Sequence, residues 1–112
     1  MEGSHTTADV LTDEEAARAV QQGDVDAFGI LIERYEAKLK RYGTKFLSSS
    51  DDITDLVQDA FLRAYQNIQS FDASMRFSPW IYRIAHNEFV SALRKRSRSP
   101  VFAVDFDAFV AH

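Results

Sequence analysis

Seven apolar residues, Ile53, Leu56, Val57, Ala60, Phe61, Ala64 and Ile68, recur in this chain at the three- and four-residue spacing of an α-helix. That spacing lines one face of a helix and cannot line one face of a strand. An amphipathic helix of this length is marginal by itself in water, so the chain must supply other apolar faces to cover it. Two segments do. Phe28, Leu31, Tyr35, Leu39, Tyr42 and Phe46 repeat at helical spacing, with Glu33, Arg34, Lys38, Lys40 and Arg41 turned outward. Between Ser78 and Arg98, Ile81, Ile84, Ala85 and Ala92 fall to one side of a third helix. A shorter helix precedes them: Thr12-Asp13-Glu14-Glu15 is a capping box, and Gly23 can close the helix it opens. The expectation is an all-α domain, a three-helix bundle core with a short additional N-terminal helix.

The breaks are also written locally. The second helix is expected to begin near Asp24, and Ser48-Ser49-Ser50 interrupts the pattern and offers caps. Asp51 and Asp52 then suit the positive end of the helix that follows. Gln69 to Phe77 has no sustained period and reads as an irregular loop. Ser78 can cap the last helix and Pro79 suits its first position, so that helix is predicted to start at Ser78 or Pro79.

Composition excludes several classes of function. The chain of 112 residues has no cysteine, which removes disulfides, thiolate metal sites and thiol nucleophiles and fits a reducing compartment. A chain of this size buries roughly two-thirds of its unfolded surface in a single core. No apolar run approaches a membrane span, and the first residues lack the basic start and apolar stretch of a signal peptide, so a cytoplasmic protein without membrane insertion is expected. No predicted helix carries the Glu-x-x-His pairing of a carboxylate-bridged metal bundle. His86-Asn87-Glu88 imitates the first half of a zinc deaminase motif whose cysteine half cannot exist here. Neither a catalytic residue nor a cofactor or metal is expected.

The net charge of -4 conceals a partition. Residues 1–75 hold seven basic and fourteen acidic side chains, whereas residues 76–98 hold six basic and one acidic. Contact with a polyanion should therefore be confined to the second segment. There Trp80, Arg83, Asn87, Ser91 and Arg94 share one stripe, and Arg94, Lys95, Arg96 and Arg98 follow at the helix end. An amide that donates and accepts together, flanked by guanidinium groups, suits nucleic acid, with Asn87 at a base edge and the cations on phosphates. On the preceding helix Asp52, Asp55 and Asp59 share a face, with Gln58 and Arg63 beside them. A helical protein-interaction domain without specific DNA recognition would explain the acidic face but would leave the Trp80–Asn87 stripe and the basic cluster without a task.

Two motifs, in this order and spacing, resemble region 2 of bacterial RNA polymerase sigma factors of the extracytoplasmic-function (ECF) group. Asp55 to Tyr65 fits D-x-x-Q-[DE]-x-F-x-R-[AT]-[WY], and Trp80 to Asn87 fits W-[LI]-x-x-I-A-x-N. The resemblance extends from about Asp24 to Pro100. It implies that the helix bearing Asp52, Asp55, Gln58, Asp59 and Arg63 docks on the coiled coil of the β′ subunit of core RNA polymerase. It also implies that the loop Gln69 to Phe77 and the next helix open the promoter minus-ten element, largely as single strand, and hold an extruded base. Phe71, Phe77, Trp80 and Tyr82 are then candidates to stack on that base or frame its pocket, Asn87 to read an edge, and Arg83, Arg94, Lys95, Arg96 and Arg98 to bind phosphates. An anti-sigma factor is the further partner the resemblance implies.

The chain departs from the family's pattern at Thr54, at Ser91, where Asp is common, and at loop residues Ala73, Ser74, Met75 and Arg76. ECF factors pair this region with a second helical domain, region 4, which reads the minus-35 element and has no counterpart within these residues. The expected organisation is a flexible tail over residues 1–11, the region 2 domain over 12–98 and the start of an interdomain linker over 99–112.

Overall fold

The computed structural model describes residues 10–97. Helix α1 spans Asp13–Gln21, α2 Asp26–Gly43, α3 Ser50–Gln66 and α4 Phe77–Ser97, with a 3₁₀ turn, Ile68–Ser70, between the last two. Among the described residues there is no strand. The architecture is the expected one: α3 and α4 form the most extensive pair, α2 lies against α3, and α1 covers α2. Residues 1–9 and 98–112, where a tail and the start of a linker are expected and where Arg98 stands, lie outside the described residues.

Each boundary has a chemical cause. The Glu15 N–H donates to Thr12 Oγ1 at 3.0 Å, and the Thr12 N–H donates back to the Glu15 carboxylate at 2.8 Å, completing the capping box. Leu11, just before the cap, packs against the core, so the packed region starts one residue earlier than the capping box suggests. At the other end the Asp24 N–H reaches Ala19 O and the Gly23 N–H reaches Val20 O. This double closure places Gly23 at φ +107°, which glycine adopts without a steric penalty. Helix α3 begins as its serines suggest, with Ser49 Oγ accepting the Asp52 N–H at 3.2 Å.

Four boundaries differ from the sequence-based expectation. Helix α2 starts at Asp26 with no side-chain cap. It ends at Gly43, and Phe46 stands in the following turn, whose amides at Phe46 and Leu47 fold back onto Gly43 O. Ile68 keeps the apolar register of α3 but belongs to the 3₁₀ turn, because α3 stops at Gln66 and the Asn67 amide caps Arg63 O at 2.8 Å. Helix α4 starts at Phe77, ahead of both Ser78 and Pro79. Its first N–H is satisfied from another helix, by the Glu14 carboxylate at 2.7 Å, which leaves the Ser78 hydroxyl to hydrogen-bond Tyr35. Pro79 still falls among the first four positions, whose N–H groups have no intrahelical partner.

The core holds Leu31, Tyr35 and Leu39 of α2, Ile53, Val57, Ala60 and Ala64 of α3, and Phe77, Ile81, Ala85 and Phe89 of α4. Among the described residues no charged side chain is buried, and the Tyr35 hydroxyl carried into the core is hydrogen-bonded to Asp13. Each large apolar side chain so buried contributes about 1.5–3 kcal/mol. Phe89 is stacked on Phe46 with centroids 5.5 Å apart, and its ring passes directly over Gly43. A Cβ added at Gly43 would stand 2.7 Å from Phe89 Cζ and 2.9 Å from Ile53 Cγ2.

Two glycines of one helix should therefore respond oppositely to alanine. Replacing a helical glycine ordinarily gains up to about 1 kcal/mol, and Gly29 has nothing within 4 Å of an added Cβ. Gly29→Ala is expected to raise stability by roughly 0.5–1 kcal/mol. Gly43→Ala must displace a fully buried ring and should lower stability by about 1–3 kcal/mol. Urea denaturation of both variants beside the parent measures the two signs.

Candidate nucleic-acid interface and docking face

The first surface lies on α3. Asp55, Gln58, Asp59, Leu62 and Arg63 are all exposed and recur at helical spacing, so they form one face. Asp52 is only half-exposed and is held in an ion pair with Arg96 of α4. Arg63 Nε pairs with Glu88 of α4 at 2.6 Å while keeping most of its surface in solvent. Asp55, Gln58 and Asp59 therefore make up the outward polar centre of this face, with Asp52 turned toward its neighbouring helix.

Next to Gln58 the surface becomes apolar, a feature that sequence reasoning missed. Phe28, Gly29 and Ile32 of α2 and Phe61, Leu62 and Tyr65 of α3 line an open groove of about 700 Å³. Leu62 is 56% exposed, and Val25 at the groove's end is 58% exposed. The available signal was that Leu62 and Tyr65 fall outside the buried stripe of α3. Asp26, Glu36 and Gln58 also line the groove, so the exposed apolar side chains of Leu62 and Tyr65 sit within a polar rim.

The second surface lies on α4 and the loop before it. Arg83, Asn87, Ser91, Arg94 and Lys95 are exposed, and Trp80 is half-buried at the start of their stripe. Tyr82 is half-buried on a neighbouring line, its ring 5.5 Å from that of Tyr42. His86 is exposed, and its Nδ1 lies 2.8 Å from the Tyr42 hydroxyl. Within the loop the Ser74 N–H and hydroxyl both donate to Asp72 Oδ1, at 2.9 and 2.6 Å. Those two bonds hold the Asp72 carboxyl below the usual carboxylate range.

Two expectations need correction here. Phe77 is fully buried and Phe71 is 5% exposed, so neither ring can stack on a base in this conformation. They form a packed aromatic wall with Trp80, the Phe71 and Trp80 centroids lying 5.1 Å apart, and of the two roles foreseen for them this leaves framing. Arg96 is part-buried in an ion pair with Asp52, whereas Arg83, Arg94 and Lys95 are exposed.

Beneath this wall Asp13 of α1 accepts hydrogen bonds from Arg34, at 2.9 Å, and from the Tyr35 hydroxyl. Burial, reinforced by the bond to Asp13, pushes the Tyr35 phenol up to about 12. Among the described residues no group of three or more His, Asp or Glu is placed to hold a metal ion, and no helix is long and apolar enough to cross a membrane.

A family model, Sigma-70 region 2, matches residues 31–99, and the chain belongs to that family. Its relatives include the ECF RNA polymerase sigma-E factor of Haemophilus influenzae, 41% identical over 93 residues that cover 83% of this chain and 49% of that protein. The ECF RNA polymerase sigma factor SigW of Bacillus subtilis is 39% identical over 70% of this chain and 42% of its own length. The sigma-E factor of Escherichia coli K12 is 38% identical over 90% of this chain and 52% of its own length. The chain thus spans about half the length of the curated relatives it matches. Among solved structures, an engineered region 2 of sigmaE in complex with GTAAAA superposes with a TM-score of 0.73 at 40% identity, covering 79% of this chain and 92% of that one.

Tyr35 makes the support beneath the aromatic wall measurable by pH. With its folded value raised from 10.0 to about 12, the unfolded chain loses this proton first as pH climbs. The parent's stability should be full below pH 10 and fall by up to about 1.4 kcal/mol per pH unit between the two values. Tyr35→Phe should cost about 1 kcal/mol near neutrality, through the lost hydrogen bond. It has no such proton, so the gap between variant and parent should shrink through the alkaline window when unfolding is followed at several pH values.

Proposed function

We propose that this domain is the core-binding and minus-ten-melting module of an ECF sigma factor, acting in the cytoplasm in transcription initiation. The observation that carries this reading is the exposed stripe Arg83, Asn87, Ser91 and Arg94 on α4, directly after an irregular loop whose flanking aromatic residues form a wall. Family membership and the likeness to a region 2 solved with GTAAAA support it.

The chemistry divides between the two surfaces. Bases in a duplex hide their Watson–Crick edges, so reading them requires a melted strand and a pocket that compensates the lost stacking. Loop 72–76, backed by Phe71, Phe77 and the accessible parts of Trp80 and Tyr82, frames that pocket, and Asn87 presents the amide that reads an edge. Arg83, Arg94 and Lys95, with Arg98 following, bind phosphates, which supplies register and affinity without sequence information. Asp55, Gln58 and Asp59, flanked by Arg63 and Asp52, dock on the β′ coiled coil of core RNA polymerase, and the adjoining groove at Leu62 and Tyr65 adds apolar contact. An anti-sigma factor would compete for these surfaces. The work is binding; no bond is made or broken by the domain and no cofactor enters.

Charge reversal separates docking from folding. Asp55→Lys with Asp59→Lys changes exposed positions, which ordinarily move stability by less than about 0.5 kcal/mol. Core polymerase affinity should fall sharply while the melting temperature barely changes, and undiminished binding would remove these carboxylates from the interface. On the other surface, Asn87→Ala should weaken the preferred single strand by roughly 1–3 kcal/mol and leave the poorest strands almost unaffected. Arg83→Ala and Arg94→Ala should instead weaken all strands alike, each lowering the slope of log affinity against log salt by about 0.7. Competition binding across single-base substitutions, repeated at several salt concentrations, measures both.

A further inference from the structure

Helix α1 lies wholly before residue 31, where the family match begins, yet it holds both ends of the loop that precedes α4. At the first end, the Gln21 side-chain amide donates one hydrogen bond to Ile68 O at 2.8 Å and the other to Phe71 O at 2.7 Å. That uses both donors of one NH₂ group and fixes the spacing of two carbonyls across the 3₁₀ turn. The contact is reciprocated, since the Gln69 side-chain amide donates to Gln21 O at 3.0 Å. At the second end, the Glu14 carboxylate accepts the Phe77 N–H at 2.7 Å. Between these anchors, residues 72–76 carry the local bonds of a single turn, from Met75 N–H to Asp72 O and from Ser74 to the Asp72 carboxylate.

Helix α1 is itself held firmly enough to act as an anchor. It is closed by the Thr12–Glu15 box and by Gly23, and Asp13 ties it to Arg34 and Tyr35 of α2.

We infer that Glu14 and Gln21 are positioning residues for base reading: they set the geometry of loop 72–76 and thereby the base preference of the domain, an inference that rests on the function proposed above. Neither side chain touches the strand in this arrangement, and their effect passes through the loop backbone.

The test uses the whole chain, the variants Glu14→Ala, Gln21→Ala, Glu14→Gln and Gln21→Glu, and single-stranded hexanucleotides built on GTAAAA with each position varied. Glutamine at position 14 still offers an oxygen to the Phe77 N–H, whereas glutamate at position 21 keeps the size of the side chain but cannot donate. With folding verified by circular dichroism at the working temperature, Glu14→Ala, Gln21→Ala and Gln21→Glu should each narrow the ratio between best and median strand by about 2- to 10-fold, the worth of one hydrogen bond. Their salt dependence should match the parent, amide exchange at Phe71 to Phe77 should speed up, and Glu14→Gln should behave as the parent. A variant that is merely less stable would weaken every strand by the same factor and leave the ranking intact. Unaltered selectivity in Gln21→Glu and Glu14→Ala, or unaltered loop exchange, overturns the inference. A parent that does not discriminate among the strands overturns the proposed function itself, so the two failures are told apart.

Discussion

Ala60 and Ala64 of α3 and Ala85 of α4 are completely buried, and small side chains at such positions let two helices approach closely. The antiparallel seam they help form carries both candidate surfaces, because the proposed docking face is the outer side of α3 and the proposed strand-reading stripe is the outer side of α4. Ion pairs cross this seam between Asp52 and Arg96 and between Arg63 and Glu88. Exposed pairs of this kind contribute little to stability, from nothing to about 1 kcal/mol. They commit one acid and one base from each helix to the seam and so leave the net charge of neither face altered.

Aromatic packing does for α2 and α4 what the alanines do for α3. Tyr35, Phe77, Phe71 and Trp80 follow one another at centroid separations near 5 to 6 Å, which carries a continuous ring-to-ring path from the middle of α2 to the loop. Such contacts favour edge-to-face geometry over simple proximity and so restrict rotamers as well as fill space. The loop is therefore supported from beneath by rings and from its two ends by α1. Rigid support of a short variable segment is a common way to place chemistry on a loop.

How far the sequence revealed this arrangement depended on the range of each interaction. The buried faces at Leu31, Leu39, Val57 and Ile81 were legible because a 3.6-residue period is a property of neighbours. The Thr12 box, the Gly23 closure and the Ser49 cap were legible for the same reason. Glu14 capping Phe77 across 63 positions was not, and neither was Gln21 reaching the carbonyls of Ile68 and Phe71. Ser78 looked like the cap because it is the nearest suitable hydroxyl; a remote carboxylate displaced it. Arg96 and Asp52 were assigned to opposite surfaces from their own helices, and a pairing between helices cannot be seen from the period of either. Phe71 and Phe77 were ambiguous, because an aromatic residue beside a loop fits a stacking platform and a plug equally well until its burial is known.

The range of these contacts also orders how the domain assembles. Successive helices are joined by short connections, and chains dominated by local contacts fold in microseconds to milliseconds. The seams between consecutive helices can close without waiting for distant parts of the chain. The bonds from Glu14 and Gln21 are different, since each must close a long stretch of chain before it can form. Loop 72–76 therefore reaches its bonded form only once α1 has met the 3₁₀ turn and the start of α4, so its shape depends on residues far from it in the chain.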